Sequence, residues 1–189
     1  MQQLIAYIHS LTTFSDDNWQ HLLPALSVQY FHKDDYLLKA GEVCNALYFI
    51  CRGYCRAYYD KDGVDINTDF FFEQDIATNI NSYGRREKSA FAIQACESLE
   101  VVRFDRELLL SAAARDPQIE TLGRLCLQRI AARQEKHTAL FKLMSAQERY
   151  EYLEQTYPEM LQRVSLSQLS SFLGVARETL SRIRSRRQS

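Results

Sequence analysis

The sequence predicts an α+β chain: an antiparallel β-roll, jelly-roll-like and flanked by helices, then one long helix, then a small C-terminal helix-turn-helix domain. Three observations predict it. Between Val28 and Phe104 apolar residues crowd into short runs separated by turn signals. From Asp116 an apolar stripe at helical spacing continues for about 25 residues without an internal proline. After Ser165 two short segments with apolar faces flank Gly174.

Leu4, Ile5, Ile8 and Leu11, then Trp19, Leu22, Leu23 and Leu26, recur at helical spacing, and Ser15-Asp16-Asp17 offers an N-cap between them. Two short helices therefore open the chain. Strands follow in Leu47-Tyr48-Phe49-Ile50-Cys51, Ala57-Tyr58-Tyr59, Phe70-Phe71-Phe72, Phe91-Ala92-Ile93 and Val101-Val102-Arg103-Phe104. Gly41 and Gly53 mark turns, and Asp62-Gly63 separates two strands in the manner of a hairpin. Short strands without intervening helices predict a compact barrel or roll.

Asp105 is placed to cap a helix carrying Leu108, Leu109 and Leu110. Asp116-Pro117 starts the long one, with Ile119, Leu122, Cys126, Ile130, His137, Leu140, Phe141 and Met144 along its stripe. Such a helix outlasts the surface of a small roll. A second copy of itself is the economical partner for its exposed half. Arg133 and His137 interrupt the stripe, so packing within its own chain is the competing reading. Ser145, with Glu148 three residues on, makes a capping box for a helix that runs to Tyr157.

Ser165 can cap a short helix whose Leu166, Leu169 and Leu173 face inward; Gly174 permits a sharp turn, and Leu180 and Ile183 anchor a second helix. In a helix-turn-helix the second helix enters the DNA major groove with its early residues toward base edges, here Arg177, Glu178, Ser181 and Arg182. Arginine forks match guanine O6 and N7, and a carboxylate accepts from cytosine N4. An ordinary helical hairpin could use the same glycine without needing arginines there.

Charge points the same way. The stretch from Arg163 onward carries six arginines (163, 177, 182, 184, 186, 187) and one acid, Glu178, for +5; the chain totals -1, so residues 1–162 sum to -6. A basic module on an acidic body suits a phosphate backbone, although a solvated basic tail has the same signature. Hydrophobic residues at 46% and charged residues at 25% of 189 fit an ordinary globular chain. Met1 to Ser10 shows no basic start before an apolar run, and nowhere do about 18 apolar residues run together. A cytoplasmic protein with no membrane partner is expected. Five cysteines, an odd number without scaffold spacing, fit a reducing compartment.

Enzyme chemistry is not expected. The histidines at 9, 21, 32 and 137 are scattered, and the chain has no Gly-x-Ser-x-Gly, His-Glu-x-x-His or phosphate-binding Gly-rich loop. No metal site is expected either. Read as one strand, Cys51 and Cys55 lie about 13 Å apart and cannot share a metal without a bulge at Gly53. Buried free thiols are the better reading. A haem would need His32 or His137 as axial ligand, and His137 reads as a packing or interface residue.

With these residues in view, the whole chain resembles the Crp/Fnr family of transcription regulators, in its Bacteroidetes-type subgroup. The resemblance rests on Leu38-Lys39-Ala40-Gly41-Glu42, Leu47 through Gly53, the hairpin Asp60-Lys61-Asp62-Gly63, Ser145-Ala146 with Glu148-Arg149-Tyr150, and Arg177-Glu178-Thr179-Leu180-Ser181-Arg182. It implies a cyclic-nucleotide-binding-like β-roll sensor domain at 1–115, a long dimerisation helix at 116–144 and a DNA-binding domain of truncated winged-helix type at 145–189. It further implies a homodimer that reads a palindromic site in double-stranded DNA, with RNA polymerase as a partner if the chain activates. Arg177, Glu178 and Arg182 map onto the base-contacting positions; Ser165, Ser167, Gln168, Thr179, Ser181, Arg184, Arg186 and Arg187 complete the DNA-binding set. Leu122, Cys126, Ile130 and His137 are assigned to the dimer helix.

The departures are informative. Cyclic-AMP binders of this family carry a Gly-Glu pair and, ten residues after that Glu, an Arg-Ser pair. Here Ala77-Thr78 and Lys88-Ser89 stand in those places, and Arg133-Gln134 replaces the Thr-Ser pair that reaches the base. Lysine keeps the charge and loses the bidentate fork. Each lost charge-assisted bond is worth roughly 1.5 to 3 kcal/mol. The expected ligand pocket is Thr78, Asn79, Lys88, Ser89, Arg133 and Gln134, with an unknown effector or none, no cofactor, and cyclic AMP disfavoured. The competing reading is a β-roll that binds a ligand or partner while its helix-turn-helix no longer reads DNA.

Overall fold

The structure is a computed structural model that describes residues 1–187; the side chains of Arg186 and Arg187, assigned above to DNA, lie outside the described residues. Helix α1 (Gln2–Leu11) and α2 (Asp16–Leu22) open the chain, α2 capped by Ser15, whose hydroxyl accepts from the Asn18 N–H. After a 3-10 turn at Leu23–Ala25 come β1 (Leu26–Phe31), β2 (Tyr36–Leu38), β3 (Ala46–Arg52), β4 (Cys55–Lys61), β5 (Val64–Phe71) and β6 (Ile76–Ala77). Then follow α3 (Ile80–Arg85), β7 (Ala92–Ala95), β8 (Leu99–Asp105), α4 (Arg106–Arg115) and α5 (Pro117–Leu143). Helices α6 (Ala146–Thr156), α7 (Pro158–Arg163), α8 (Leu166–Leu173) and α9 (Arg177–Arg187) complete the chain.

Two four-stranded sheets form, in the orders β1-β8-β3-β6 and β2-β7-β4-β5. The central strands of the first sheet are apolar on both faces because both faces are covered. Phe49 and Cys51 of β3 and Val102 and Phe104 of β8 join Leu4, Ile8 and Leu22 in one core cluster. Their neighbours Ile50, Leu99 and Val101 turn the other way, into a second cluster with Cys55, Ala57, Phe71 and Ile93. The β4–β5 hairpin turns at Asp62 and Gly63, both at positive φ (55° and 79°), as a two-residue turn matched to strand twist requires.

The structure corrects two expectations. A helix, α3, does interrupt the strands; it is only six residues long, lacks an apolar stripe and is held by its Asn79 cap, so periodicity could not reveal it. Cys51 and Cys55 lie on successive strands, β3 and β4, because the chain reverses at Gly53. Gly53 has φ +86°, and a Cβ there would stand 2.4 Å from the Ser98 carbonyl oxygen. Leu122, assigned above to the dimer seam, is buried in the core of its own unit beside Ile119, and Cys126 packs against that core. The exposed apolar residue on this part of α5 is Leu127.

All five cysteines are free. Burial pushes the thiols of Cys96 and Cys126 up to about 11 and raises Cys51, which keeps them protonated and weakly nucleophilic at neutral pH. Among the described residues no group of His, Cys, Asp or Glu is placed to hold a metal ion, and no helix is long and apolar enough to cross a membrane. The chain divides into two compact units: residues 1–57 with 71–130, and residues 58–70 with 131 onward.

Candidate nucleic-acid interface and ligand pocket

The second unit contains the helix-turn-helix. Ser165 caps α8 by accepting from the Gln168 N–H at 3.3 Å. Gly174 then adopts φ +67°, its N–H and that of Val175 returning to carbonyls of Ser170 and Ser171, so α8 ends and the chain swings into α9. Leu169, Phe172 and Leu173 of α8 and Leu180 of α9 are buried together in this unit. Fixing Leu180 inward turns the opposite face of α9 outward. Arg177, Glu178, Ser181 and Arg182 are exposed, whereas Thr179 and Arg184 are half-buried. On α8, Ser165 and Ser167 are exposed and Gln168 is half-buried. Among the described residues Arg182 makes long contacts, at 3.4 Å, to the Glu178 carbonyl and Thr179 Oγ1 of its own helix.

Sequence reasoning missed the residues that hold this motif. Ser171 Oγ donates to the Asp65 carbonyl at 2.9 Å and accepts from the Asn67 N–H at 3.0 Å. Phe172 stands edge-on to Phe70, His137 and Phe141. His137, assigned above to the dimer helix, thus packs inside its own unit. No local pattern marks these partners, since residues 65 to 70 and 171 to 172 are about a hundred positions apart.

In the first unit Thr78, Asn79 and Ser89 come together, and all three are buried. Asn79 accepts from the Ser82 N–H and donates to Ser89 Oγ at 2.8 Å; Ser89 Oγ in turn donates to the Phe91 carbonyl at 2.6 Å. Thr78 Oγ1 donates to the Ala46 carbonyl, and Ser82 Oγ to the Glu87 carbonyl. Lys88 is exposed, and its backbone bridges to Val43. The buried hydroxyl and amide donors of this segment are thus spent on protein acceptors. Among the described residues Arg149 Nε is the buried side-chain polar atom without a hydrogen-bond partner, and it is not in this segment. Arg133 and Gln134 fall in the second unit, where Arg133 pairs with Asp69. Positions 78 and 88 hold threonine and lysine, neither a carboxylate nor a guanidinium.

Residues 28–116 match the family model of the cyclic nucleotide-binding domain. No curated protein matches the sequence. Solved structures do. FixK2 from Bradyrhizobium japonicum is 22% identical with a TM-score of 0.68, over 85% of this chain and 83% of that one. The global regulator CLP of Xanthomonas campestris, described as responsive to c-di-GMP, is 16% identical with a TM-score of 0.66, over 92% of each chain. A cyclic nucleotide-binding domain-containing protein from Listeria monocytogenes is 16% identical with a TM-score of 0.68, over 97% of this chain and 89% of that one. At such identities the likeness is one of fold. Residues 28–116 are thus similar to a cyclic nucleotide-binding domain, and the chain shares its fold with these structures.

Proposed function

We propose that this chain is a DNA-binding transcription regulator of the Crp/Fnr type, of the Bacteroidetes-type subgroup its motifs resemble, and that it acts as a homodimer on an inverted repeat. One observation carries the reading: Arg177, Glu178, Ser181 and Arg182 stand exposed at the start of α9, while Leu180 is buried against the rest of the motif. Hydrophobic anchoring of one face and two arginines with a carboxylate on the other suit base-edge readout. Ser165, Ser167 and Gln168, at the start of α8, are assigned to the phosphate backbone.

A second copy of the chain is the assigned partner of the long helix. In the first unit an apolar groove of about 350 Å³ is bordered by Leu109, Leu110, Ala113, Gly123, Leu127 and Ile130, and Leu127 is half exposed. A symmetric partner would cover it and place two reading helices across one dyad. RNA polymerase enters as a partner where the bound site lies so as to activate. The cyclic-nucleotide pocket is read as degenerate, since its buried donors are satisfied within the protein and its ribose and phosphate anchors are replaced. Selection from random duplex DNA tests the assignment. Enrichment of an inverted repeat with half-sites one duplex turn apart, about 34 Å, is expected. A pool without an enriched motif overturns it and leaves a ligand- or partner-binding roll.

A further inference from the structure

The β4–β5 hairpin groups with the helix-turn-helix, because residues 58–70 belong to the same compact unit as residues 131 onward. Among the described residues strand β5 stands last in its sheet, in the order β2-β7-β4-β5. An edge strand presents backbone N–H and C=O groups that call for a partner. Ser171 supplies one. Its single hydroxyl donates to the Asp65 carbonyl at 2.9 Å and accepts from the Asn67 N–H at 3.0 Å. These groups sit two residues apart on one strand, the spacing at which backbone groups point to one side. Asn67 is 4% exposed, so the bond is made away from water.

Phe172, the next residue, fixes the same joint from the apolar side. Its ring centroid is 5.5 Å from Phe70 on β5 and 5.9 and 5.7 Å from His137 and Phe141 on α5. The hairpin is tied to α5 as well, through Asp69 to Arg133 at 2.8 Å and the Phe70 carbonyl to Arg133 at 2.6 Å. Helix α8 leads into α9 through the Gly174 turn, and Leu173 and Leu180 on either side of it are both buried. What orients α8 therefore constrains α9.

We propose that Ser171 is a positioning residue: through its two bonds to Asp65 and Asn67 it ties the helix pair α8–α9 to β5, so that the hairpin sets the direction in which the reading helix points. This rests on the DNA-reading assignment for its consequence and on the β5–α8 joint for its substance, and the two can be tested apart. In the full-length protein, hydrogen exchange is compared in wild type, Ser171→Ala and Ser171→Thr, with DNA affinity measured on the selected inverted repeat. In Ser171→Ala the Asn67 amide should exchange about tenfold faster or more, with α8 and α9 loosened together, as loss of a hydroxyl bonded twice to backbone implies. DNA affinity of the folded protein should fall about tenfold on every sequence alike, with base preference little changed. Ser171→Thr keeps the hydroxyl and should restore both.

A merely structural serine would move the melting temperature and leave affinity at saturating folded protein unchanged. Wild-type DNA affinity in Ser171→Ala, or unchanged exchange at Asn67, overturns the proposal. If the wild type itself selects no DNA motif, the DNA-reading assignment falls, and the exchange experiment still decides the joint: coupled loosening of the hairpin, α8 and α9 supports it, and independent behaviour overturns it.

Discussion

Arg133 and Asp69 form an ion pair with Nη2 2.8 Å from Oδ1, the side chains being only 22% and 17% exposed. The same Nη2 donates to the Phe70 carbonyl, so the guanidinium is committed within its own unit. Together with the exposed Lys88 and the internally bonded Thr78, this argues against a nucleotide ligand at these positions. Calorimetry with cyclic AMP and cyclic GMP should show no saturable heat up to about 100 μM, the range in which even weak specific binding would register. A micromolar isotherm would contradict this.

Arg182 should separate base reading from phosphate contact. Arg182→Ala is expected to cost roughly 1 to 3 kcal/mol of DNA binding and to relax preference at one symmetric pair of positions. Arg186→Ala and Arg187→Ala should instead weaken all sequences alike and flatten the salt dependence by about one counterion each. Affinity titrations at several salt concentrations make the distinction. Identical behaviour of the two classes would remove the case for specific reading.

Leu122 and Leu127, five residues apart on α5, should respond differently to the same substitution. Leu122→Asp places a charge in the core of the first unit and should destabilise the fold itself. Leu127→Asp changes a half-exposed position and should leave the fold intact while converting a dimer of about 44 kDa, twice the 22.0 kDa chain, to monomer. Light scattering beside thermal melts reads both. A dimeric Leu127→Asp protein would remove this helix from the seam.

Gly53→Ala tests the reversal between β3 and β4. The new Cβ would meet the Ser98 carbonyl at 2.4 Å, in a backbone conformation with φ +86°. Neither can relax cheaply, because the obstacle is backbone. A loss of about 3 kcal/mol or more is expected in denaturant melts. A variant within about 0.5 kcal/mol of wild type would show that the loop repacks.

Asp116 links stability to acid. Its carboxylate accepts from Asn18 Nδ2 at 2.8 Å, lies 3.0 Å from His21 Nδ1 and accepts from the Gln118 N–H at 2.9 Å. These bonds, that from Asn18 first, hold its pKa below the ordinary carboxylate value. A carboxylate depressed in the folded state contributes stability that is present above its unfolded pKa, about 3.9, and lost as pH falls through the folded pKa. Asp116→Asn should therefore lower stability by about 1 to 3 kcal/mol near neutrality and flatten the acid limb below about pH 4. Urea melts from pH 3 to 7 read the slope, as an unchanged limb would assign acid sensitivity elsewhere.

The sequence by itself determined what depends on neighbours a few residues away. Ser15, Asp105, Ser145 and Ser165 cap the helices they precede, and Asp62-Gly63 makes the tight turn, because a cap or turn closes a hydrogen bond over three residues whatever the rest of the chain does. The apolar runs likewise marked β3, β4, β7 and β8, though not β1, β2 or β6, and Leu169, Leu173 and Leu180 marked the inner face of the helix-turn-helix. Only the tertiary structure decided which face of α5 Leu122 meets, that Cys51 and Cys55 lie on different strands, and that Ser171 finds Asp65 and Asn67 across more than a hundred residues. Periodicity says that a face will be buried; which surface buries it depends on the entropy of closing long loops against the packing gained, and that balance is struck by the whole chain at once.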